Sequence, residues 1–345
     1  MIRWFQAALC AGLVWTSSPA MSETTYTILD FKDLEGWASD DHSAALDVFQ
    51  NTCMDFEGPV WQSLCAVAQD FADPRKFFEL LFRPVLIEDG DEPLFTGYFE
   101  PELDGALRPT NRFRYPLYRT PPEAKKQAQW LSRRQIETSG VMDGRGLEIA
   151  WVDDPVELFF LQIQGSGRIR LPDGSYLRIG YGGSNGHPYR SIGVELVRRG
   201  VYTSHQVSAQ VIKNWVRRNP VDGAELLRHN ESYVFFRKVN RVPADQGPLG
   251  AMNRSITTMR SIAVDPSYTP LGAPVWIEKD GENPLRRLMI AQDTGSAIKG
   301  AQRADIFFGT GDAAGREAGR LKDKGRMIVL LPIQRAYAML PEAVL

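Results

Sequence analysis

From residue 30 to residue 82 apolar positions recur at helical spacing. The pattern predicts helices over Asp41–Met54 and Val60–Asp70, and a third that opens at Asp73-Pro74 and continues from Lys76 to Phe82. Then the texture changes. Leu94–Pro101 is short, aromatic and β-like, and Tyr115–Tyr118 continues in that style. Pro121–Trp130 reads as helical, and Ser132 and Gln135 have capping-box spacing. Asp154-Pro155-Val156-Glu157 reads as a helix start, with Asp as cap, Pro as first helical residue and Glu as box partner. Its apolar run, Leu158–Ile163, stops at Gly165-Ser166-Gly167. Arg168–Leu171 and Tyr176–Ile179 flank an Asp173-Gly174 turn, a hairpin signal. Helical patterns return over Tyr189–Arg199 and His205–Arg218, the second stopped by Pro220. From Ser232 onward short β-rich runs dominate: Tyr233–Val239, Ser255–Val264, Val275–Glu278, Leu288–Ala291, Asp305–Phe308 and Met327–Leu331, with one helix at about Ala313–Lys322. Many short, closely spaced strands predict a barrel and not a doubly wound parallel sheet. No low-complexity linker interrupts them, so two tightly packed domains are expected, one inserted in the other.

Composition narrows the class. The 345 residues suggest about two domains. Apolar content of 43% and charged content of 24% are ordinary for a globular chain. A net charge of −2 supplies no basic field, so no nucleic-acid partner is expected. Met1-Ile2-Arg3, the apolar stretch Trp4–Trp15 and the small residues up to Ala20 have the layout of a secretory signal peptide, residues 1–20, with cleavage after Ala20. The stretch is too short to span a bilayer, and a soluble exported protein is expected; a retained N-terminal anchor is the alternative. Cys10 lies inside the signal. Cys53 and Cys65 remain, and an even pair in an exported protein reads as a disulfide between two helices, with buried free thiols as the alternative. No CxxC occurs, and Cys53 has no His near it in sequence.

Three apparent motifs fail on context. Gly182-Gly183-Ser184-Asn185-Gly186 matches a nucleophile elbow, but a hairpin arm precedes it and His187-Pro188 interrupts any following helix. The candidate bases His205 and His229 sit on polar helical segments. Gly309-Thr310-Gly311 with Gly315 has the wrong spacing for a dinucleotide loop, though a helix N-terminus there could favour an anion. His42, His187, His205 and His229 show no metal-ligand spacing, so no metal and no cofactor are expected.

The remaining chemistry is carboxylate. Asp265, Asp293 and Asp305 each stand at a strand edge, where Asp is ordinarily a turn former. Asp305 differs because it opens an apolar strand between Ala304 and Ile306. Burial there would raise its pKa, and a carboxyl kept protonated near neutrality serves as a general acid.

Leu94–Pro121 and Leu158–Gly200, with Gln164-Gly165-Ser166-Gly167 and Asn185-Gly186-His187-Pro188-Tyr189-Arg190, resemble the lytic murein transglycosylase A family. Ser261–Leu331 resembles that family's 3D module, named for three aspartates that match Asp265, Asp293 and Asp305. Asp293–Gly300 reads as its DTGGAIKG run, with Ser296 in place of the second Gly. The resemblance implies a mainly β fold with flanking helices: a double-psi β-barrel domain (residues 21–103 and 238–345) and a smaller inserted β-rich domain (104–237), with a groove between them. It implies a peptidoglycan lytic exotransglycosylase, a carbon–oxygen lyase, with Asp305 as catalytic acid and then base. Asp293, Asp265 and Lys299 would support it. Thr96, Tyr98, Gln164, Gly165, Ser166, Asn185 and Tyr189 would line the groove. Many members carry a lipid anchor on a Cys at the end of the signal, whereas Cys10 lies mid-stretch and is a poor lipidation site. The expected partners are peptidoglycan glycan strands and proteins of wall synthesis or the divisome, met by a monomer. A β-1,4-glycan hydrolase would need a second carboxylate facing Asp305, for which Glu100 and Asp293 are candidates. A non-catalytic periplasmic glycan-binding protein is the third reading.

Overall fold

The structure, a computed structural model, describes residues 23–339 except 57, 241 and 244. The signal-peptide reading therefore lies outside the described residues. Among these residues no helix is long and apolar enough to cross a membrane.

Two sheets carry the chain. The larger has nine strands in the spatial order Thr25–Ile28, Phe82–Glu88, Gly325–Pro332, Pro274–Lys279, Leu285–Thr294, Ser261–Val264, Arg303–Thr310, Leu94–Glu100 and Lys322–Asp323. Most neighbours are antiparallel, but Ser261–Val264 runs parallel to Leu285–Thr294, and Arg303–Thr310 parallel to Leu94–Glu100. The order is linear: no pairing closes this curled sheet edge to edge among the described residues. Mainly β architecture with flanking helices is as expected. One face packs a single core that includes Phe49, Phe82, Ile262, Trp276, Ile290 and Ile306, beneath the N-terminal helices. The six-stranded sheet is ordered Tyr115–Tyr118, Glu148–Val152, Glu102–Ala106, Gly167–Arg170, Tyr176–Ser184 and Val234–Lys238. All six strands lie between Glu102 and Lys238, and the chain crosses from one sheet to the other at Pro101.

Local chemistry accounts for most boundaries. Asp41 caps His42–Thr52 by accepting from the Ala44 amide, and Asp73 caps Pro74–Leu81 through Lys76. Ser132 and Gln135 form the expected capping box. Four expectations are corrected. Pro121–Trp130 contains only the single turn Ala124–Lys126: the chain is extended at Gln127, and the Trp130 amide is tied to the Asn185 carbonyl. Glu157 does not close a capping box; it pairs with Lys213 at 2.6 Å and with Arg217. Pro220 ends Ala209–Arg218 but also opens Pro220–His229 as its first residue. His205 sits in a turn, not a helix. Ser184 ends an antiparallel strand with no helix before Ile192, so the elbow geometry is absent. The helix N-terminus after Gly309 meets the Glu100 and Glu102 side chains and does not face the cleft described below.

The sheets are joined by a buried charge cluster. Arg168 and Arg178 are directly opposed on adjacent strands, an arrangement that is repulsive by itself. Glu100, fully buried at the end of the larger sheet's strand, accepts on Oε2 from Arg168 Nε at 2.9 Å and from Arg178 Nη2 at 3.4 Å, while Oε1 lies 3.1 Å from Arg178 Nε as an ion-pair contact. The Thr310 hydroxyl adds a third bond at 2.8 Å. Glu100 does not line the cleft and is paired with two buried arginines, so it does not face Asp305 as a second carboxylate. Replacing Glu100 by Ala should destabilise the protein by roughly 3–5 kcal/mol, since it strands two guanidiniums; the check is chemical denaturation against the parent.

Cys53 and Cys65 are bonded, with Cα atoms 5.5 Å apart, and staple the first two helices. Closing so short a loop is worth roughly 3 kcal/mol. The Cys53→Ser/Cys65→Ser variant should therefore melt lower than the oxidised parent, and reduction of the parent should reproduce the difference; calorimetry with and without reductant is the measurement.

Candidate active site

A row of side chains crosses four strands of the larger sheet on the face away from its core. Pairing places Asp293 beside Ala263, Ala263 beside Asp305, and Asp305 beside Thr96. Directly paired residues share a face, so all four side chains point the same way. Within Arg303–Thr310 the alternation puts Ala304 and Ile306 into the core and Arg303 and Asp305 on the opposite face. Two strand spacings separate the aspartates, about 10 Å between Cα atoms, with the small Ala263 between them.

The row forms part of a cleft of about 690 Å³ between the two sheets. Asp293, Asp305, Ala263, Arg303 and Tyr98 line it from the larger sheet, and Ser184, Val234 and Arg237 from the smaller. The end of Pro155–Gln164 closes one wall. Gly165 turns the chain there with φ of 77°, and nothing lies within 4 Å of where its Cβ would stand, so the helix ends against open space. Gln164 reaches back to accept the Phe99 amide at 3.0 Å, which ties this wall to the strand bearing Thr96 and Tyr98. Gly97, between them, is required by close packing: a Cβ would stand 2.7 Å from the Ala318 backbone.

Electrostatics separate the two aspartates. Burial raises the Asp305 carboxyl above its ordinary range, partly opposed by the Thr96 hydrogen bond and the Arg303 charge. Thr96 Oγ1 donates to Asp305 Oδ1 at 2.6 Å. Burial also pushes Asp293 up to about 6, although it accepts from the Thr294 and Ala251 amides and the Tyr98 hydroxyl, and the Asp305 charge pushes it the same way. Tyr98 is held well above its ordinary value by burial and by the two carboxylates. The arrangement thus offers a carboxyl that keeps its proton to a higher pH than a solvated Asp and has one oxygen free of protein donors.

The other expected residues divide. Tyr98, Gln164, Gly165, Ser166 and Tyr189 line the cleft with Asp293 and Asp305. Thr96 stands behind Asp305 and does not line it. Asn185 is not in the wall. It is buried, its amide donates to the Leu131 and Glu231 carbonyls, and its oxygen accepts from Tyr233, so it fastens loops beneath the cleft. Asp265 is also off the cleft. Burial would raise it, but the Ser267 and Gly300 amides and the Lys299 charge hold it below its ordinary range. Lys299 lies 3.7 Å from that carboxylate with its side chain mostly exposed. Several cleft residues were not read from the sequence, among them Ala263, Arg303, Gln162 and Arg133, the last stacked on Phe159 and Tyr233. Arg303 alone had a visible signal, its place two residues before Asp305 on a strand. No group of His, Cys, Asp or Glu arranged to hold a metal ion occurs among the described residues.

Comparison with known proteins converges. The model for the "MltA specific insert domain" matches residues 94–237, and that for the "3D domain" residues 260–331. The membrane-bound lytic murein transglycosylase A of Vibrio cholerae is 32% identical over 302 residues, 82% of this chain and 79% of that one. A membrane-bound lytic murein transglycosylase from Agrobacterium tumefaciens superposes with a TM-score of 0.81 at 31% identity, covering 91% of this chain and 99% of that one. The Escherichia coli protein solved with bound chitohexaose superposes at 0.73 and 28% identity, over 89% and 94% of the two chains. The chain belongs to the lytic murein transglycosylase A family.

Proposed function

We propose that this peptidoglycan lytic transglycosylase cleaves the MurNAc-β-1,4-GlcNAc bond without water, with Asp305 as acid and then base. The protonated Asp305 donates to the glycosidic oxygen as the C1–O4 bond breaks, and the GlcNAc leaves as an alcohol. The resulting carboxylate takes the proton of the MurNAc C6 hydroxyl, whose oxygen bonds to C1 of the same sugar. The product ends in 1,6-anhydroMurNAc, Asp305 regains its proton, and atoms balance with no water consumed. Attack within one ring has the advantage of an intramolecular reaction. The observation that carries this reading is the half-buried Asp305 carboxyl on the cleft floor, raised by burial and bonded at one oxygen only.

In this reading Tyr98 and Asp293 act together. The Tyr98 hydroxyl and two backbone amides hold Asp293 rigidly beside the acid, where it can accept from a sugar hydroxyl. Gln164, Ser166 and Tyr189 suit N-acetyl groups and sugar faces. The chitohexaose held by the Escherichia coli relative supports a β-1,4-linked amino-sugar strand as occupant. The domains would be residues 21–103 with 238–345, and 104–237, and the enzyme would act as an exported protein in the periplasm, without a lipid on Cys10. A hydrolytic second reading retains Asp293 as its other carboxylate, since the same row carries both.

The test is digestion of purified sacculi by the parent and by Asp305→Asn, with released muropeptides read by mass spectrometry. The parent should give products one water lighter than hydrolysed counterparts, and the variant should lose at least about 10²-fold in rate. The raised Asp305 keeps its proton to higher pH, so the parent's rate should decline on the alkaline side as that proton is lost. Full-mass reducing ends would move the case to hydrolysis, and binding without products from either protein would support a non-catalytic role.

A further inference from the structure

Arg303 is a cleft cation on the same strand face as Asp305. Its guanidinium is fixed by three acceptors: the Leu94 carbonyl at 3.2 Å, the Ala304 carbonyl at 2.7 Å and the Thr96 hydroxyl at 2.8 Å. Among the described residues no carboxylate lies within ion-pair distance of it, and the carboxyl that feels its charge is Asp305. A hydroxyl has one proton. With Arg303 donating to Oγ1, that proton is directed to the other neighbour, Asp305 Oδ1, at 2.6 Å.

We propose that Arg303 is a positioning residue for the acid: it orients the Thr96 hydroxyl toward Asp305 Oδ1, which leaves Oδ2 as the oxygen that exchanges its proton with substrate. This rests on Asp305 being the acid–base group. The relay matters because one carboxyl must first hold a proton and then give it up. Burial favours the neutral form, while the charge-backed hydroxyl favours the carboxylate. The other groups facing this corner are Asp293, Tyr98, whose hydroxyl is committed to Asp293, and Lys322, the strand partner of Thr96. A planar guanidinium reaches two carbonyls and the hydroxyl together, whereas a Lys would supply charge without that fork.

The experiment is the pH dependence of kcat and KM on sacculi for the parent, Arg303→Gln, Arg303→Lys, Thr96→Val, Thr96→Ser and the double variant Arg303→Gln/Thr96→Val, with Asp305→Asn as control. Arg303→Gln and Thr96→Val should each lower kcat roughly tenfold with KM little changed. Both remove a group that favours the carboxylate, so both should move the alkaline limb to higher pH. Thr96→Ser should restore the parent's profile and Arg303→Lys part of it. The double variant should be no worse than either single one, because both break one relay. An unmoved limb in Arg303→Gln and Thr96→Val, or additive losses, would overturn the proposal. If Arg303→Gln melts early, Arg303→Lys and the Thr96 pair decide by the same criterion. A parent that releases no anhydro ends, or an active Asp305→Asn, would instead overturn the acid assignment beneath it.

Discussion

Two segments about 200 residues apart in sequence run parallel and in register, Leu94–Glu100 beside Arg303–Thr310. Shifting that register by one residue would turn Asp305 into the core and Ile306 into the cleft, because side chains alternate across a strand. The pairing fixes the Thr96–Asp305 hydrogen bond at one point and delivers Glu100 to the junction of the sheets at the other. Tyr98, between them, carries the hydrogen bond that holds Asp293. The row of cleft side chains, its supports and the joint between the sheets therefore all depend on this one strand pair.

Burial sets the chemistry and hydrogen bonding tempers it. Asp293 and Asp305 are both raised by loss of solvent, yet each retains donors that keep the ionised form within reach. Asp265 shows the opposite balance, with amide donors and a lysine outweighing burial. Three similar-looking aspartates thus differ, two raised in the cleft and one lowered in a turn, according to whether burial or the donors prevail. Across the joint, Glu100 bridges a directly opposed arginine pair and offsets part of its charge, so the two sheets are held by a buried charge cluster as well as by packing.

Much of this was legible in the chain itself. Asp73, Ser132 and Asp154 marked helix starts, and the alternation of Ala304, Asp305 and Ile306 marked a carboxyl on an otherwise apolar strand. The family resemblance picked out seven residues that do line the cleft. What escaped was long-range. Nothing local distinguishes Asn185, whose amide is spent on backbone 46 and 54 residues away, from a groove asparagine. Glu100 looked like a free acid until Arg168 and Arg178 closed on it, and Ala263 has no chemistry of its own until strand register sets it between two carboxylates. Pro121–Trp130 stops after one helical turn because the Trp130 amide is claimed by the distant Asn185 carbonyl, a contact no local pattern shows.

The account turns on the protonation of one side chain. The most direct measurement is a carbon-13 NMR titration of the aspartate carboxyls in the ligand-free protein, with Asp305→Asn and Asp293→Asn used to assign the two cleft signals. The account predicts that Asp305 titrates clearly above the ordinary aspartate range and that its midpoint rises further when Thr96 is changed to Val. An Asp305 that titrates at or below the ordinary value would contradict it, because such a group would arrive at the glycosidic oxygen without a proton to give.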